Sequence, residues 1–407
     1  MITRITRRWV SIAVIVLAAG LTAACGGSLP PTSWSGLTTS GSIAYLASTD
    51  RIYAIDTNPE TNNLQRQLWV FPPDQGASVT FHSQPSLSES GLLYAGSDSP
   101  AGQGIIFALD TTRPISVTVD VRWSYPAGEN APRLGSIFGG VVHDGDTVYA
   151  ATGEGRVVSL KARPESQFGE LNWTFPTTTA APIGRIWSSP VVSGGIVYAA
   201  AQDHNLYALD AETGEQKWKF RAGAMLAGAP TVYRDTIYVG SFDQKLYAVD
   251  AATGARKWEF TAQGTAQGWL WDGPTVFDDV LYFGDLNGNL YAIGLDGREI
   301  WRLASGTELK TGNKLEGMIR AQPLVTEDRI YVATSAGKLY ALERATQREV
   351  WTFKSGQDGE QFLTTPALVG DLLLIAPLPA GGSPVRLYAV NVKSGNAQWQ
   401  FPAPQTP

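Results

Sequence analysis

The chain has 407 residues, with 31 Lys and Arg against 37 Asp and Glu, so its net charge at pH 7 is −6. This acidic balance, with the basic residues scattered along the chain, argues against a nucleic-acid partner, which would require a cluster of positive charge. The single cysteine cannot form an internal disulfide.

The N-terminal segment, residues 1–24, has the pattern of an export signal. Three Arg residues precede the apolar stretch Val10–Leu21, which is too short for a membrane-spanning helix and is followed by small residues. Thr6–Trp9 is a weak match to a twin-arginine signal, so both general and twin-arginine export remain open.

The sole cysteine follows this signal directly. Leu21–Cys25 is similar to a bacterial lipobox, with Thr22 at a place that usually holds an aliphatic residue. We therefore predict lipidation of Cys25 and a lipidated tether over residues 25–34, whose Gly, Ser and Pro cannot build a core. The mature protein would be held by its lipid on the extracytoplasmic face of the cell membrane or the outer membrane. The alternative is an ordinary signal peptide with an incidental cysteine.

From residue 35 onward the chain repeats one unit. The clearest copy, Asn205–Phe220, recurs at Lys245–Phe260 and at Arg386–Phe401. Eight copies follow one another at intervals of 40 to 54 residues, and each ends in a tryptophan: Trp69, Trp123, Trp173, Trp218, Trp258, Trp301, Trp351 and Trp399. Self-similarity at this period predicts a repeat architecture in which each unit packs against its neighbours.

Each repeat has the pattern of four short strands. In Ser189–Phe220, a short apolar run and two runs rich in β-branched and aromatic residues precede Lys217–Phe220, in which polar and aromatic residues alternate. Gly214 stands where a hairpin requires a positive φ. One sheet of this size cannot bury both of its faces, whereas eight sheets around a ring can. We therefore predict an all-β fold, an eight-bladed β-propeller of four-stranded antiparallel blades over residues 35–401, with a tail at 402–407.

The predicted blades cover residues 35–71, 80–125, 136–175, 186–220, 227–260, 270–303, 319–353 and 364–401. The first has its own inner strand and the last its own outer strand, so the sequence shows no strand exchange at ring closure. Tyrosines that recur in the second strand are predicted to pack between the sheets: Tyr45, Tyr94, Tyr149, Tyr198, Tyr238, Tyr282 and Tyr331.

The end of each repeat resembles a known motif. Ala208-x-Asp210-x-x-Thr213-Gly214-x-x-x-Trp218 is similar to the tryptophan-docking motif of the pyrroloquinoline-quinone (PQQ) type β-propeller repeat, and Ala248–Trp258 matches it again. Asn391 and Gln347 replace the Asp and the Gly in two other copies. The resemblance covers nearly all of residues 35–401, is greatest to the BamB-type outer-membrane assembly lipoproteins, and implies that each Trp packs between neighbouring blades.

The loops that lead into the inner strands form one rim of the predicted central channel. We aligned these loops on a recurrent Pro or its equivalent and took the residue three places before it. From the first blade to the eighth, this residue is Ser33, His82, Ile137, Trp187, Ala227, Trp271, Arg320 and Leu363. Three Trp residues here fall outside the docking pattern, and Trp beside Arg is typical of binding surfaces. The candidate binding rim is therefore Trp187, Trp269, Trp271, Arg320 and His82. The alternative is that these Trp residues only pack the top of the channel.

The sequence favours no metal site or catalytic centre. The three histidines lie in different repeats without the spacing of zinc ligands: His82, His143 and His204. Three short polar residues occupy equivalent turns, where they favour the turn itself over a calcium site: Asp203, Asp243 and Asn287.

The resemblance implies a monomeric, non-catalytic scaffold without a cofactor that holds other proteins of the bacterial cell envelope. One alternative is a quinoprotein dehydrogenase, which binds PQQ with calcium. Many such enzymes stack PQQ on a disulfide between adjacent cysteines, which this chain lacks, and Arg320 is the only cation in the predicted ring for its three carboxylates. A further alternative is a surface module that binds a glycan or a peptide at the Trp-lined mouth.

Overall fold

The computed structural model describes residues 35–73, 79–99, 102–112, 118–127, 133–162, 169–262, 268–309, 312, 314–378 and 385–403. The signal segment, Cys25 and the tether lie outside these ranges. Within them, no helix is long and apolar enough to cross a membrane. The described regular structure is β-strand apart from one short 3-10 helix, Asn63–Gln65.

The strands form eight sheets, each of four consecutive antiparallel strands, which confirms the predicted eight-bladed propeller. From inner to outer strand, blades 1 to 4 contain β1–β4 (Gly36–Ser40, Ile43–Ser48, Arg51–Asp56, Gln67–Phe71), β5–β8 (Ser86–Leu87, Leu92–Gly96, Ile106–Asp110, Asp120–Tyr125), β9–β12 (Val142–Asp144, Thr147–Ala151, Val157–Lys161, Glu170–Phe175) and β13–β16 (Val191–Ser193, Ile196–Ala200, Asn205–Asp210, Gln216–Arg221). Blades 5 to 8 contain β17–β20 (Thr231–Tyr233, Thr236–Gly240, Lys245–Asp250, Arg256–Thr261), β21–β24 (Thr275–Phe277, Val280–Gly284, Leu290–Gly294, Glu299–Leu303), β25–β28 (Leu324–Val325, Arg329–Thr334, Lys338–Glu343, Glu349–Lys354) and β29–β32 (Ala367–Val369, Leu372–Ile375, Leu387–Asn391, Ala397–Phe401).

The core lies between the faces of neighbouring blades, and the second and third strands supply most of it. Their β-branched and aromatic residues suit a pleated surface buried on both faces. The seven second-strand tyrosines are each at most 4% exposed, which confirms their predicted place in the core. Each lies tilted against the Trp of its own blade, with ring centroids 5.7–6.1 Å apart.

Blades 1 and 8 close the ring by side-chain packing. Apolar residues of β1–β3 and of β30–β32 form one shared cluster. Tyr53 lies edge-on against Phe401, with 5.5 Å between ring centroids, and the Ser35 hydroxyl donates to the Pro377 carbonyl at 3.3 Å. In the described part of the chain no strand crosses from one blade into another. Closure therefore depends on apolar packing between the two blades and on no exchanged strand.

A β-bulge precedes each tryptophan of the repeat. In blade 4, Ala208 pairs with Trp218 and Leu209 with Gln216, so Lys217 is an extra residue in the outer strand. The outer pair of all eight blades shows the same shift. Because a bulge twists its strand and re-aims the adjacent side chain, each indole is turned toward the next blade.

The indoles reach the turn between the third and fourth strands of the next blade. Four indole N–H groups donate to a carbonyl there: Trp173 to Ala211 (3.0 Å), Trp218 to Ala251 (3.1 Å), Trp258 to Leu295 (2.8 Å) and Trp351 to Val392 (2.8 Å). A glycine in the same turn lies against the ring. A Cβ built on Gly254 would stand only 2.7 Å from Cδ2 of Trp218.

The contact of blade 8 with blade 1 uses a cation instead of a Thr-Gly turn. The Arg66 guanidinium lies 4.3 Å from the centroid of the Trp399 ring. Arg66 is 2% exposed, and it donates to the carbonyls of Asp56 and Asn58 at 3.0 and 2.9 Å. A buried, hydrogen-bonded guanidinium over an indole supplies a cation–π contact at this joint.

Gly254→Ala tests the contact between blades. Gly254 and Gly194 both have a positive φ, +73° and +58°, but an added Cβ meets nothing within 4 Å at Gly194. We expect Gly194→Ala to lower the free energy of unfolding by about 1 kcal/mol through backbone strain alone. Gly254→Ala should cost roughly 1–3 kcal/mol more, since the methyl group must displace the Trp218 ring. Urea unfolding of both variants measures the difference, and equal losses would contradict the role of the Trp–Gly contact.

Candidate functional site

The eight inner-strand loops surround a central channel of about 180 Å³. Every blade contributes to its lining: Ser35, His82, Phe138, Trp187, Ala227, Trp271, Arg320 and Leu363. Of the predicted ring, Ser33 lies outside the described residues. The place predicted for Ile137 is wrong, because its side chain is 0% exposed and packs in the core between blades 2 and 3. The next residue, Phe138, faces the channel in its place.

Three residues of the candidate rim stack on one side of this channel. The rings of Trp187 and Trp271 are nearly parallel, at 16°, with centroids 6.0 Å apart. The two indoles come from blades 4 and 6, and they meet because the intervening blade 5 contributes only Ala227. The Arg320 guanidinium carbon lies 3.5 Å from the centroid of the Trp271 ring. All three large side chains remain half-buried, so they narrow the channel and still present surface to it.

Arg320 and Asp272 form an opposite-charge pair at the channel wall. Both are surrounded by protein on most sides, and burial raises the pKa of Asp272 to about 6 although backbone N–H groups and Arg320 oppose the shift. Burial lowers the pKa of Arg320 to about 9, against the attraction of Asp272. The cation of the predicted rim is therefore offset by a carboxylate that sequence reasoning did not identify, although it directly follows Trp271.

His82 lies on the other side of the channel. It is 3% exposed and edge-on to Phe138, with 5.4 Å between ring centroids. Its Nε2 is 3.7 Å from Oδ2 of Asp98, beyond hydrogen-bond distance. Burial lowers the pKa of His82, and Asp98 opposes this shift. The imidazole is therefore neutral at neutral pH.

Trp269 does not line the channel but stands beside it, on the same face of the ring. It stacks on Phe242 at 9° with 5.1 Å between centroids, and Phe242 also lies 5.6 Å from Trp271. The backbone joins these residues to their neighbours: Phe242 N donates to Met225 O at 3.1 Å, and Leu286 N donates to Trp269 O at 3.0 Å. We call this surface over blades 5 to 7 the apolar ridge: Met225, Phe242, Trp269, Leu286 and Met318.

A positional signal in the sequence could have found the ridge. Met225, Trp269 and Met318 each stand two places before a rim residue, where blade 4 has Arg185. In blade 4 the corresponding backbone bond joins Gln202 to Arg185 at 2.9 Å, so both side chains at that place are polar. The change from polar to apolar between equivalent positions is visible in the sequence once the loops are aligned on the rim residues.

The acidic turn residues serve the fold. Asp203 accepts from the Tyr207 hydroxyl at 2.6 Å, and Asp243 accepts from the hydroxyl of Tyr247. In blade 6 the tyrosine partner is Asp285, which accepts from Tyr291 at 2.9 Å, while Asn287 lies in the turn, as predicted. Burial and the neighbouring carboxylate raise the pKa of each of these tyrosines. No group of three His, Cys, Asp or Glu residues in the described ranges could hold a metal ion.

The raised pKa of Asp272 gives a pH-dependent stability. Between about pH 4 and pH 6 the folded chain keeps a proton that the unfolded chain releases, so the contribution of this group falls as pH rises through that window. As pH is lowered from about 7 to about 4, wild type should gain on the order of 2 kcal/mol in free energy of unfolding relative to Asp272→Asn. Denaturant titrations of both proteins at each pH measure this gain. A difference in free energy of unfolding between wild type and Asp272→Asn that stays constant or shrinks as pH is lowered would contradict the raised pKa.

Comparisons with known proteins agree with the fold. The family described as outer membrane protein assembly factor BamB matches residues 166–324 and 288–407. The chain is 25% identical over 228 residues to outer membrane protein assembly factor BamB of Burkholderia pseudomallei (strain K96243), covering 56% of this chain and 45% of that protein. It is 34% identical over 168 residues to the serine/threonine-protein kinase AfsK of Streptomyces griseus, covering 41% and 19%. The chain thus spans less than half the length of either curated relative.

Solved structures share the architecture at low identity. BamB from Moraxella catarrhalis superposes with a TM-score of 0.60 at 17% identity, over 88% of this chain and 93% of that one. The computationally designed Ika8 protein gives 0.62 at 11%, over 88% and 97%. A europium-containing methanol dehydrogenase gives 0.58 at 12%, over 80% of each chain. These likenesses show the fold alone, whereas the family match covers more than half of the chain. The chain therefore belongs to the family of the outer membrane protein assembly factor BamB.

Proposed function

We propose that the chain is a non-catalytic scaffold of the bacterial cell envelope, which holds other envelope proteins against its apolar ridge. The observation that carries this proposal is the ridge itself. Met, Trp and Phe are enriched in the centres of protein interfaces, and Met adapts to varied partners. Met318 is 42% exposed, and the other four ridge residues are half-buried, so their apolar surface remains available.

The ridge has the build of a docking surface. Its aromatic pair, Phe242 and Trp269, is held by stacking and by backbone hydrogen bonds on both sides. A partner would therefore meet side chains that lose little conformational freedom on binding, which favours affinity. Family membership supports the same assignment, since the matching family and one curated relative are named as outer membrane protein assembly factors.

Anchoring to a membrane is the second part of the proposal. Lipidation of Cys25 after export would place the propeller on the extracytoplasmic face, within reach of envelope proteins. The tether over residues 25–34 would link the lipid to the first blade. The relatives whose names refer to the outer membrane support this location.

The residues of the channel do not fit PQQ. This flat, three-ring quinone carries three carboxylates, whereas pockets for molecules of that size begin at about 300 Å³ and the channel measures about 180 Å³. Among the described residues that line it, Arg320 is the one permanent cation, and Asp272 offsets it. The dehydrogenase alternative is therefore not adopted, although the fold is shared with a methanol dehydrogenase.

Charged substitutions on the ridge test the scaffold. We expect Met225→Glu with Met318→Glu to reduce recovery of crosslinked envelope proteins at least about tenfold, a loss of about 1.4 kcal/mol. Neither residue belongs to the stacked rings, so the melting temperature should be unchanged. Quantitative proteomics after crosslinking in cells measures the recovery.

Leu64→Glu is the matched control, because Leu64 is 83% exposed on the 3-10 helix of blade 1. Equal recovery from the ridge variant and wild type would reject the ridge as the docking surface. Stoichiometric binding of PQQ with calcium, seen in the visible spectrum together with dye-linked alcohol oxidation, would reject the scaffold altogether.

Cys25→Ser tests the anchor. With the lipid site removed, the protein should move from the membrane fraction to the soluble extracytoplasmic fraction and lose incorporation of labelled palmitate, since a single polar tether cannot hold it to a bilayer. Fractionation and metabolic labelling measure both effects. Retention in the membrane fraction with unchanged labelling would show that Cys25 is not the site.

A further inference from the structure

The apolar ridge contains all the sulfur of the propeller. The chain has three methionines and one cysteine. Met1 lies in the predicted export signal and Cys25 is the predicted lipid site, so Met225 and Met318 are the only sulfur-containing residues after residue 25. Thiols and thioethers are the side chains that mild oxidants attack. An oxidant that reaches this propeller therefore meets its sulfur targets on one surface.

Both methionine side chains are open to solvent. The residue that follows each of them is buried in the core, Leu226 at 0% exposed and Ile319 at 1%. The methionines themselves point away from that core: Met318 is 42% exposed, and Met225 is half-buried. A small oxidant in solution therefore has access to both side chains, and to that of Met318 more than to that of Met225.

The backbone holds the two methionines without using their side chains. Met318 N donates to the Ser335 hydroxyl at 2.8 Å, and Ser335 N donates to the Met318 carbonyl at 3.0 Å. The Met225 carbonyl accepts from Phe242 N at 3.1 Å. A change at either sulfur breaks none of these hydrogen bonds. Oxidation would therefore alter the chemistry of the ridge surface and leave the loops in place.

Hydrogen peroxide converts a thioether to a sulfoxide in one step. A lone pair of the sulfur attacks one peroxide oxygen, the O–O bond breaks, and the proton of the transferred oxygen passes to the other oxygen, which leaves as water. The sulfur loses two electrons, which the peroxide gains. The product is a polar and chiral group in place of an apolar one. In an apolar interface its oxygen loses water without gaining a donor, which weakens binding.

We propose that Met225 and Met318 are sites of reversible oxidation, and that their conversion to methionine sulfoxide by a peroxide releases the partner from the apolar ridge. The release rests on the proposed function of the ridge, whereas the oxidation depends on this chain alone. Methionine sulfoxide reductases return the thioether, so the change is a switch and not only damage.

Peptide mapping by mass spectrometry tests the oxidation on the purified full chain treated with hydrogen peroxide. We expect one added oxygen on each methionine, with Met318 oxidised at least about twofold faster than Met225 because it is more exposed. The melting temperature should be unchanged, and the two reductases that act on the two sulfoxide epimers should remove the added oxygen. Both methionines unmodified under conditions that fully oxidise a short methionine peptide would overturn the proposal.

Met225→Leu with Met318→Leu tests the release, because leucine is apolar, of similar volume and without sulfur. Cells are exposed to hydrogen peroxide before crosslinking, and each protein is compared with its own untreated sample, so any difference in basal recovery cancels. Wild type should lose recovery of envelope proteins at least about fivefold on treatment, whereas the leucine variant should keep at least about half of its own. The partner meets the same peroxide in both strains, so the contrast reports the two methionines.

Three results would count against the release, and they differ from one another. Equal losses in wild type and the leucine variant would place the effect on another target. Undiminished recovery by oxidised wild type, while Met225→Glu with Met318→Glu lowers recovery, would show that the ridge docks a partner and tolerates the sulfoxides. If the glutamate variant and the peroxide both leave recovery unchanged although mapping shows the sulfoxides, the ridge is not the docking surface, and its proposed function and the release are rejected together.

Discussion

Each blade packs the indole of its repeat tryptophan against the next blade, and the whole ring depends on this contact. A four-stranded blade has two apolar faces and cannot stand alone, so neighbours must be fixed in one relative position. The bulge before Trp218 aims its ring across the interface, Ala251 accepts its N–H, and Gly254 leaves room beneath it. These three features fix distance and orientation together. At the closing joint, Arg66 over Trp399 stabilises the same geometry by other means.

A ring fixed in this way presents its loops at constant positions, so the character of the channel depends on which side chains the loops supply. Ala227 between two larger residues allows Trp187 and Trp271 to meet across a blade. Gly139 brings the loops of three blades close on the opposite side. The result is a channel with one aromatic side and one polar side. The apolar ridge lies outside it, so the protein has two separate surfaces of different chemistry on one face.

The fold alone does not separate a scaffold from an enzyme. The propeller superposes about equally well on a BamB and on a methanol dehydrogenase, with TM-scores of 0.60 and 0.58, as expected when one architecture carries many functions. The residues that line the channel favour the scaffold that we propose. Arg320 lies on an indole with Asp272 nearby, so its charge is offset and its surface is occupied. A ligand with three carboxylates, such as PQQ, would need several cationic side chains whose charge is not offset and whose surface is not covered.

The sequence by itself determined the number of blades, their four-strand pattern and the buried tyrosines, because local patterning repeats with the period of the fold and each copy confirms the others. It also located Trp187, Trp271 and Arg320 as residues outside that pattern. Only the tertiary structure decided that Phe138 and not Ile137 faces the channel, that Asp272 offsets Arg320, and that Phe242 joins Trp269 in a ridge. The last two relations join residues 48 and 27 positions apart, in neighbouring blades. Contacts between blades depend on how the blades pack against each other. The sequence of a single repeat of about 45 residues does not encode that packing.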